Sequence, residues 1–240
     1  MYAITLFDIA IAFIPVLVTL VIIFFWSSNL NQAVIAILRM LAQLLLIGYA
    51  LEFIFNANSP WIILAVLSFM LAAASWIALG ALPVSRSTLL TYSLAAIAIG
   101  GIFNLVLITQ GVLHAEPWYR PSIMIPLAGM IFSNSMNSIS LAGERLYSEL
   151  EHRDDFARAR NTAFQAAMIP MTNSMLAVGL VSLPGMMTGQ ILAGTSPLIA
   201  ARYQIIVMCM IFSSAGISAA VFLWLLHRRR ERDRGAEPCG

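Results

Sequence analysis

Long apolar runs separated by short polar interruptions dominate this chain. Seven can be marked, at about 5–27, 33–55, 61–82, 88–112, 122–142, 163–193 and 203–226. A helix rises ~1.5 Å per residue, so each run is long enough to cross a hydrocarbon core of roughly 30 Å. The pattern predicts an all-α polytopic membrane protein, with residues 1–240 forming one permease-like transmembrane domain of about seven helices. The sixth run differs in kind. As one straight helix its thirty or so residues would reach roughly 45 Å, too long for a bilayer without strong tilt, so it should be broken. Pro170 and the Ser182-Leu183-Pro184-Gly185 cluster supply the breaks, because proline lacks a backbone donor and glycine widens the dihedral range. Backbone groups freed at such a break survive in a membrane only where protein or a water-filled cavity covers them, so the break reads either as a plain kink or as part of a transport path. Gly185 and Gly189 also have the spacing of a close helix contact.

Composition sharpens this reading. Hydrophobic residues make up 60% of the chain and charged residues only 10%, whereas soluble domains carry about a quarter charged residues. All 13 basic residues are arginine. Without lysine there is no P-loop, no Schiff base to retinal or pyridoxal phosphate and no Ser-Lys dyad. Cys209 lies in an apolar run and Cys239 in the polar tail, which excludes a disulfide framework, and His114, His152 and His227 are too dispersed to form a metal cluster. No catalytic motif is present, and the chain reads as a non-enzyme.

The arginines cluster. Arg145, Arg153, Arg158 and Arg160 fall in one segment, and Arg228, Arg229, Arg230, Arg232 and Arg234 in a tail at 227–240. Such clusters mark cytoplasmic loops and contact anionic lipid; a nucleic-acid partner is not expected. Seven crossings then place the Arg86 loop and the C-terminus inside, and the N-terminus and the loop with His114, Glu116 and Arg120 outside. The first run lacks a basic leader region and reads as a retained span. Residues 143–162 form the long internal polar stretch, read as the fifth helix running on into the cytoplasm, with Glu149 and Arg153 and then Asp154 and Arg158 spaced i, i+4. It is a solvated connector or a docking surface, in which case Glu144, Arg145, Glu149, Arg153 and Arg158 would meet the partner.

Polar groups within the apolar runs are the candidate path residues, since intramembrane polar groups usually face the protein interior. Arg39 and Gln43 share a face of the second run, although Arg39 can also snorkel to the headgroups. Met130, Asn134 and Asn137 share another face, with Met136 nearby; their amide oxygens and thioethers suit either a cation path or interhelical hydrogen bonding. Asn173, Ser182, Pro184, Gly185, Met186 and Met187 complete the set around the break.

The run Val178-Gly-Leu-Val-Ser-Leu-Pro-Gly-Met-Met-Thr-Gly189 resembles the FetB/YbbM family of ABC transporter permeases, whose plant relatives include the aluminium-sensitivity half-transporters. Further matches are Arg39, Gln43, Gly48 and Tyr49, then Ile125-Pro-Leu-Ala-Gly-Met-Ile131 with Asn134 and Met136, then Ser196-Pro197 and Tyr203-Gln-Ile205. The resemblance implies a homodimeric permease of a bacterial inner membrane that exports metal, iron in the bacterial members. It also implies a separate ATP-binding cassette subunit holding the ATP, with no cofactor in this chain. The absence of lysine agrees, because any nucleotide site must then lie on a partner. The segment from Gly143 to Pro170 departs from the family in lacking a Leu-Gly-Ala type turn and in being shorter by about two to three helical turns. Asn173 and Leu176 are uncharged where some members carry an acid and a base. An ATPase-independent channel or carrier and a non-transporting scaffold subunit are the rival readings.

Overall fold

A computed structural model describes residues 5–26, 29–55, 59–152 and 155–235. Helices account for almost all of it, and among the described residues no strand forms beyond one isolated bridge between Val178 and Ser182. The chain is a helical polytopic membrane protein with five helices long and apolar enough to cross a bilayer, at Phe7–Trp26, Leu30–Leu51, Pro60–Ala81, Arg86–Val112 and Pro197–Arg232. By contact the chain divides into two compact units, Met1–Ala57 and Asn58–Gly240.

The first unit holds α1 (Leu6–Ala12), α2 (Ile14–Trp26) and α3 (Leu30–Phe55). Thr5 starts α1 through a reciprocal cap. Its hydroxyl accepts from the Asp8 N–H at 3.3 Å, and the Asp8 carboxylate accepts from the Thr5 N–H at 2.8 Å. No residue of α2 is buried, as fits helices whose apolar surface faces lipid.

The second unit holds α4 (Pro60–Ala78), which tightens into a 3₁₀ turn at Leu79–Ala81, and α5 (Arg86–Val106), which continues as a π-turn over Leu107–Val112. Then follow α6 (Pro121–His152), α7 (Phe156–Ala177), α8 (Gly185–Leu192) and α9 (Pro197–Gly235). The most extensive packing is of α5 and α6 against α9, with α4 lying on α5 and α6, and α7 on α6 and α9. Small residues make these crossings close, as expected where no hydrophobic effect drives helices together in lipid. Ala159, Ala163 and Ala167 form the buried seam of α7. At Gly100 of α5 a Cβ would stand 2.9 Å from the backbone nitrogen of Ser218 and 3.1 Å from the carbonyl of Ser214, so only glycine permits this approach to α9. Serine hydroxyls bridge the same layer. Ser218 Oγ donates to Ser135 Oγ at 3.1 Å, Ser93 Oγ to the Ser75 carbonyl at 3.2 Å, and Ser213 Oγ to Asn104 Oδ1 at 2.5 Å.

Three expectations change here. The runs at 122–142 and 163–193 form helices but are not among the five apolar spans. Ser133, Asn134, Ser135, Asn137 and Ser138 lower the apolarity of α6, and Ser135 and Ser138 are buried against neighbouring helices rather than turned to lipid. Pro170 does not break the sixth run but lies inside α7; the break comes after Ala177. The polar stretch at 143–162 is not one helix. α6 does run on to His152, but a new helix begins at Phe156, capped by Asp155, whose carboxylate accepts from the Arg158 N–H at 3.2 Å. Arg153 and Asp154 lie outside the described residues, and Glu149 pairs instead with Arg145 at 2.6 Å.

Candidate transport site

The break is built by backbone chemistry that the sequence dictates. Val178 turns extended, and Gly179 takes φ +83°, a left-handed conformation that favours glycine. The Ala177 carbonyl then accepts from the amides of Leu180, Val181 and Ser182 at 3.2, 2.8 and 3.2 Å, while Gly179 N–H donates to the Ser182 carbonyl at 2.9 Å. The last carbonyl of α7, one of the helix end's orphan groups, is thus satisfied inside a tight loop. Pro184 caps the two-turn α8, and Gly194, at φ +94°, ends the turn before Pro197 opens α9. Gly185 and Gly189 meet nothing within 4 Å; their spacing does not make a helix contact within this chain.

α8 packs on α9 and has a cleft on each side. Met186 and Gln190 line one of about 280 Å³, with Ser122 and Pro126 of α6 and Tyr203 of α9. Met187 lines the other, of about 320 Å³, with Met175, Gly179, Gln204, Met208 and Cys209. The adjacent methionines therefore serve opposite clefts. In each cleft a glutamine carbonyl, Gln190 Oε1 or Gln204 Oε1, is buried with no hydrogen-bond partner among the described residues. A buried amide oxygen without a hydrogen bond costs about 1–3 kcal/mol unless something occupies its cleft.

The remaining sequence candidates lie elsewhere. Arg39 and Gln43 are exposed on α3 of the first unit. Met130 and Asn134 are half-buried on one face of α6, but the Asn134 amide is spent on the Met130 carbonyl at 2.8 Å, and Asn137 is exposed. Met136 is half-buried, and Asn173 and Ser182 are exposed. Neither the α6 group nor Asn173 lines the clefts beside α8. Gln190, Gln204, Met175, Met208 and Cys209 were not among the path candidates read from the sequence, although a glutamine within each of two apolar runs was a visible signal.

The opposite end of the second unit carries the arginines. Val84 of the α4–α5 connection, Leu146 and Tyr147 of α6, Phe156 of α7, and Leu226 and Arg229 of α9 line one hollow of about 400 Å³. Aromatic rings hold the guanidiniums there. Arg228 stands 4.6 Å from the ring centre of Trp224 and Arg230 5.8 Å from that of Phe156, while His227 stacks on Phe156 at 4.7 Å. Burial pushes the Tyr147 phenol up, with Arg229 opposing, so it stays a neutral hydroxyl. Of the expected docking residues, Glu144, Arg145 and Arg158 are exposed at this end and Glu149 is half-buried.

Residues 6–230 match the model of an uncharacterised protein family, UPF0014. The chain belongs to this family. A UPF0014 membrane protein of Synechocystis, slr1647, is 40% identical over 208 residues, 77% of this chain and 79% of its own. The probable iron export permease protein FetB of Escherichia coli is 33% identical over 207 residues, covering 80% and 78%. Protein ALUMINUM SENSITIVE 3 of Arabidopsis thaliana is 34% identical over 230 residues, covering 88% and 82%. No solved structure matches the chain. The resemblance read from the break and its flanking motifs is thereby borne out, and the chain is a multi-pass membrane protein of a family that includes a named permease.

Proposed function

We propose that this UPF0014 protein is the transmembrane half of a metal exporter driven by a separate ATP-binding subunit, working as a homodimer in a bacterial inner membrane. The observation that carries the reading is the break after Ala177, flanked by two clefts that each hold an unpartnered glutamine oxygen. Irregular backbone and unsatisfied polar atoms at membrane depth are tolerated where they line a path. Iron is the metal in the name of the E. coli relative. In this reading α6 and α7 also cross, giving seven spans; Ser135 and Ser138 of α6 are sheltered inside the bundle, so that helix needs less apolar surface than one ringed by lipid. The arginine-bearing end is cytoplasmic by the excess of positive charge, which puts the N-terminus outside. The hairpin of α6 and α7 around residues 144–160 presents Glu144, Arg145 and Arg158 to the ATPase.

The test is reconstitution. Co-purification through a C-terminal tag, followed by efflux from proteoliposomes, should give an ATP-binding partner and nucleotide-dependent metal export. Export without nucleotide would move the assignment to a carrier. No flux from folded protein with its partner present would sink the transport reading and leave a scaffold subunit.

A further inference from the structure

The cleft on the α7–α9 side of α8 has an unusual donor set. Met175 at the end of α7, Met187 of α8, and Met208 and Cys209 of α9, four sulfur-bearing residues, line one hollow of about 320 Å³ together with Gln204. Gln204 is 6% exposed, and its Oε1 has no partner among the described residues. Methionine alone is an ordinary filler of apolar spans. A filler explanation does not cover Gln204, because its buried amide carbonyl is left without the hydrogen bond it had in water.

We infer that this cleft binds a soft monovalent cation of the Cu(I) or Ag(I) class. Thioethers and thiols select soft ions, whereas Mg²⁺, Ca²⁺ and Mn²⁺ prefer carboxylate and carbonyl oxygen, and imidazole suits divalent iron and zinc. No carboxylate or imidazole lines this cleft, and among the described residues no group of three or more His, Cys, Asp or Glu exists to hold a harder ion. Charge points the same way. The cost of moving an ion out of water grows with the square of its charge, so a hollow of uncharged donors tolerates one positive charge far better than two. The Gln204 carbonyl supplies the single oxygen dipole that the sulfurs lack. This inference deepens the export reading and rests on it for the claim that the ion is cargo; the binding claim stands by itself.

The experiment is titration of the full chain, purified in detergent, with Ag(I), with Cu(I) under reducing conditions and with Fe(II). A Cys239→Ser background removes the tail thiol. The expected result is stoichiometric Ag(I) and Cu(I) binding at least about tenfold tighter than Fe(II), with a sulfur-dominated shell at the copper absorption edge. Met187→Leu with Cys209→Ala should weaken Ag(I) binding by roughly tenfold or more, since even outer-shell partners of metal ligands matter by 10–100-fold. Met168→Leu, whose side chain lies against Gly216 on another face, should leave it unchanged. Gln204→Leu should weaken binding while leaving thermal stability equal or higher, which a purely structural glutamine would not do. Equal or tighter Fe(II) binding overturns the soft-ion assignment, and so does undiminished Ag(I) binding in the double variant. Should that variant misfold, Met187→Leu alone, close in volume, carries the same comparison. Weakened Ag(I) binding with undiminished export in the double variant would overturn the claim that the ion is cargo and leave the binding claim standing.

Discussion

Gly100→Ala isolates what the closest helix crossing requires. Beyond the Ser218 hydroxyl, its nearest neighbour and one able to rotate, the new methyl would stand 2.9 Å from the Ser218 backbone nitrogen and 3.1 Å from the Ser214 carbonyl. Both are helix backbone atoms and cannot rotate away as a side chain end can. Alanine in a helix is worth ~0.5–1 kcal/mol over glycine, and forcing one carbon into a packed core costs ~1–3 kcal/mol. The net expectation is therefore a loss of ~1–2 kcal/mol, felt in α5 and α9 together. Equilibrium unfolding of the purified chain in mixed micelles with rising SDS measures it. Gly189→Ala is the matched control: its surroundings are open within 4 Å, so it should gain the helix preference, ~0.5–1 kcal/mol, with no packing loss. Ser218→Ala supplies the refutation. If removing that hydroxyl restored Gly100→Ala to parent stability, the obstacle would be a side chain, and the claim that backbone contact fixes this crossing would be wrong.

Gly179→Ala should cost about 1–2 kcal/mol through its left-handed backbone alone, since the new Cβ would meet nothing within 4 Å; the same unfolding titration reads this, and an unchanged midpoint would mean the loop relaxes. Asp155→Ala removes the cap of α7 and should lose about 1 kcal/mol, whereas Asp155→Asn should largely keep it. Ser135→Ala breaks the buried bond from Ser218 and should cost about 0.6 kcal/mol, the usual size for interhelical hydrogen bonds in membranes. Pro184→Ala should reduce metal export while leaving insertion intact; unchanged metal efflux from proteoliposomes carrying this variant would count against placing the path at the break.

The break was legible because its causes are local. Gly179, Pro184 and Gly194 each dictate a backbone state within a residue or two, and the excess length of the run demanded an interruption somewhere. Pro170 misled because a proline in a membrane helix need not end it: neighbouring groups can compensate for the missing bond, and α7 continues through it to Ala177. The internal polar stretch misled for a related reason. Its i, i+4 charges suit a continuous helix, but Asp155 is a better N-cap than helix interior, and the signal of a new start outweighed the signal of continuation. The clefts were illegible as sites because their donors come from three elements. Met175, Met187 and Met208 are each unremarkable in their own run, and only the fold of α8 against α9 gathers them.

The two ends of the second unit divide the chemistry in a way that the apolar pattern alone does not. At one end guanidiniums are held on aromatic faces, fixing charge where headgroups and a cytoplasmic partner would meet it. At the other, the loop after Ala177 gathers three of its amides on the Ala177 carbonyl, while Gln190 of α8 and Gln204 of α9 each leave a side-chain carbonyl without a hydrogen bond. Between them lies a layer of serines and small residues in which hydroxyls find partners and α5 meets α9 at van der Waals range. A layer so tightly matched resists deformation, because its helices cannot slide without stripping those bonds. Movement during a transport cycle should therefore concentrate in α8 and its flanking loops. In those loops a side chain at Gly179 or Gly194 would meet nothing within 4 Å, and Leu180, Val181 and Leu192 are at least four-fifths exposed at 90%, 84% and 80%. Hydrogen exchange resolves this directly: amides of residues 179–195 should exchange far faster than those of 96–104 and 214–219, and equal protection across both segments would place the moving part elsewhere.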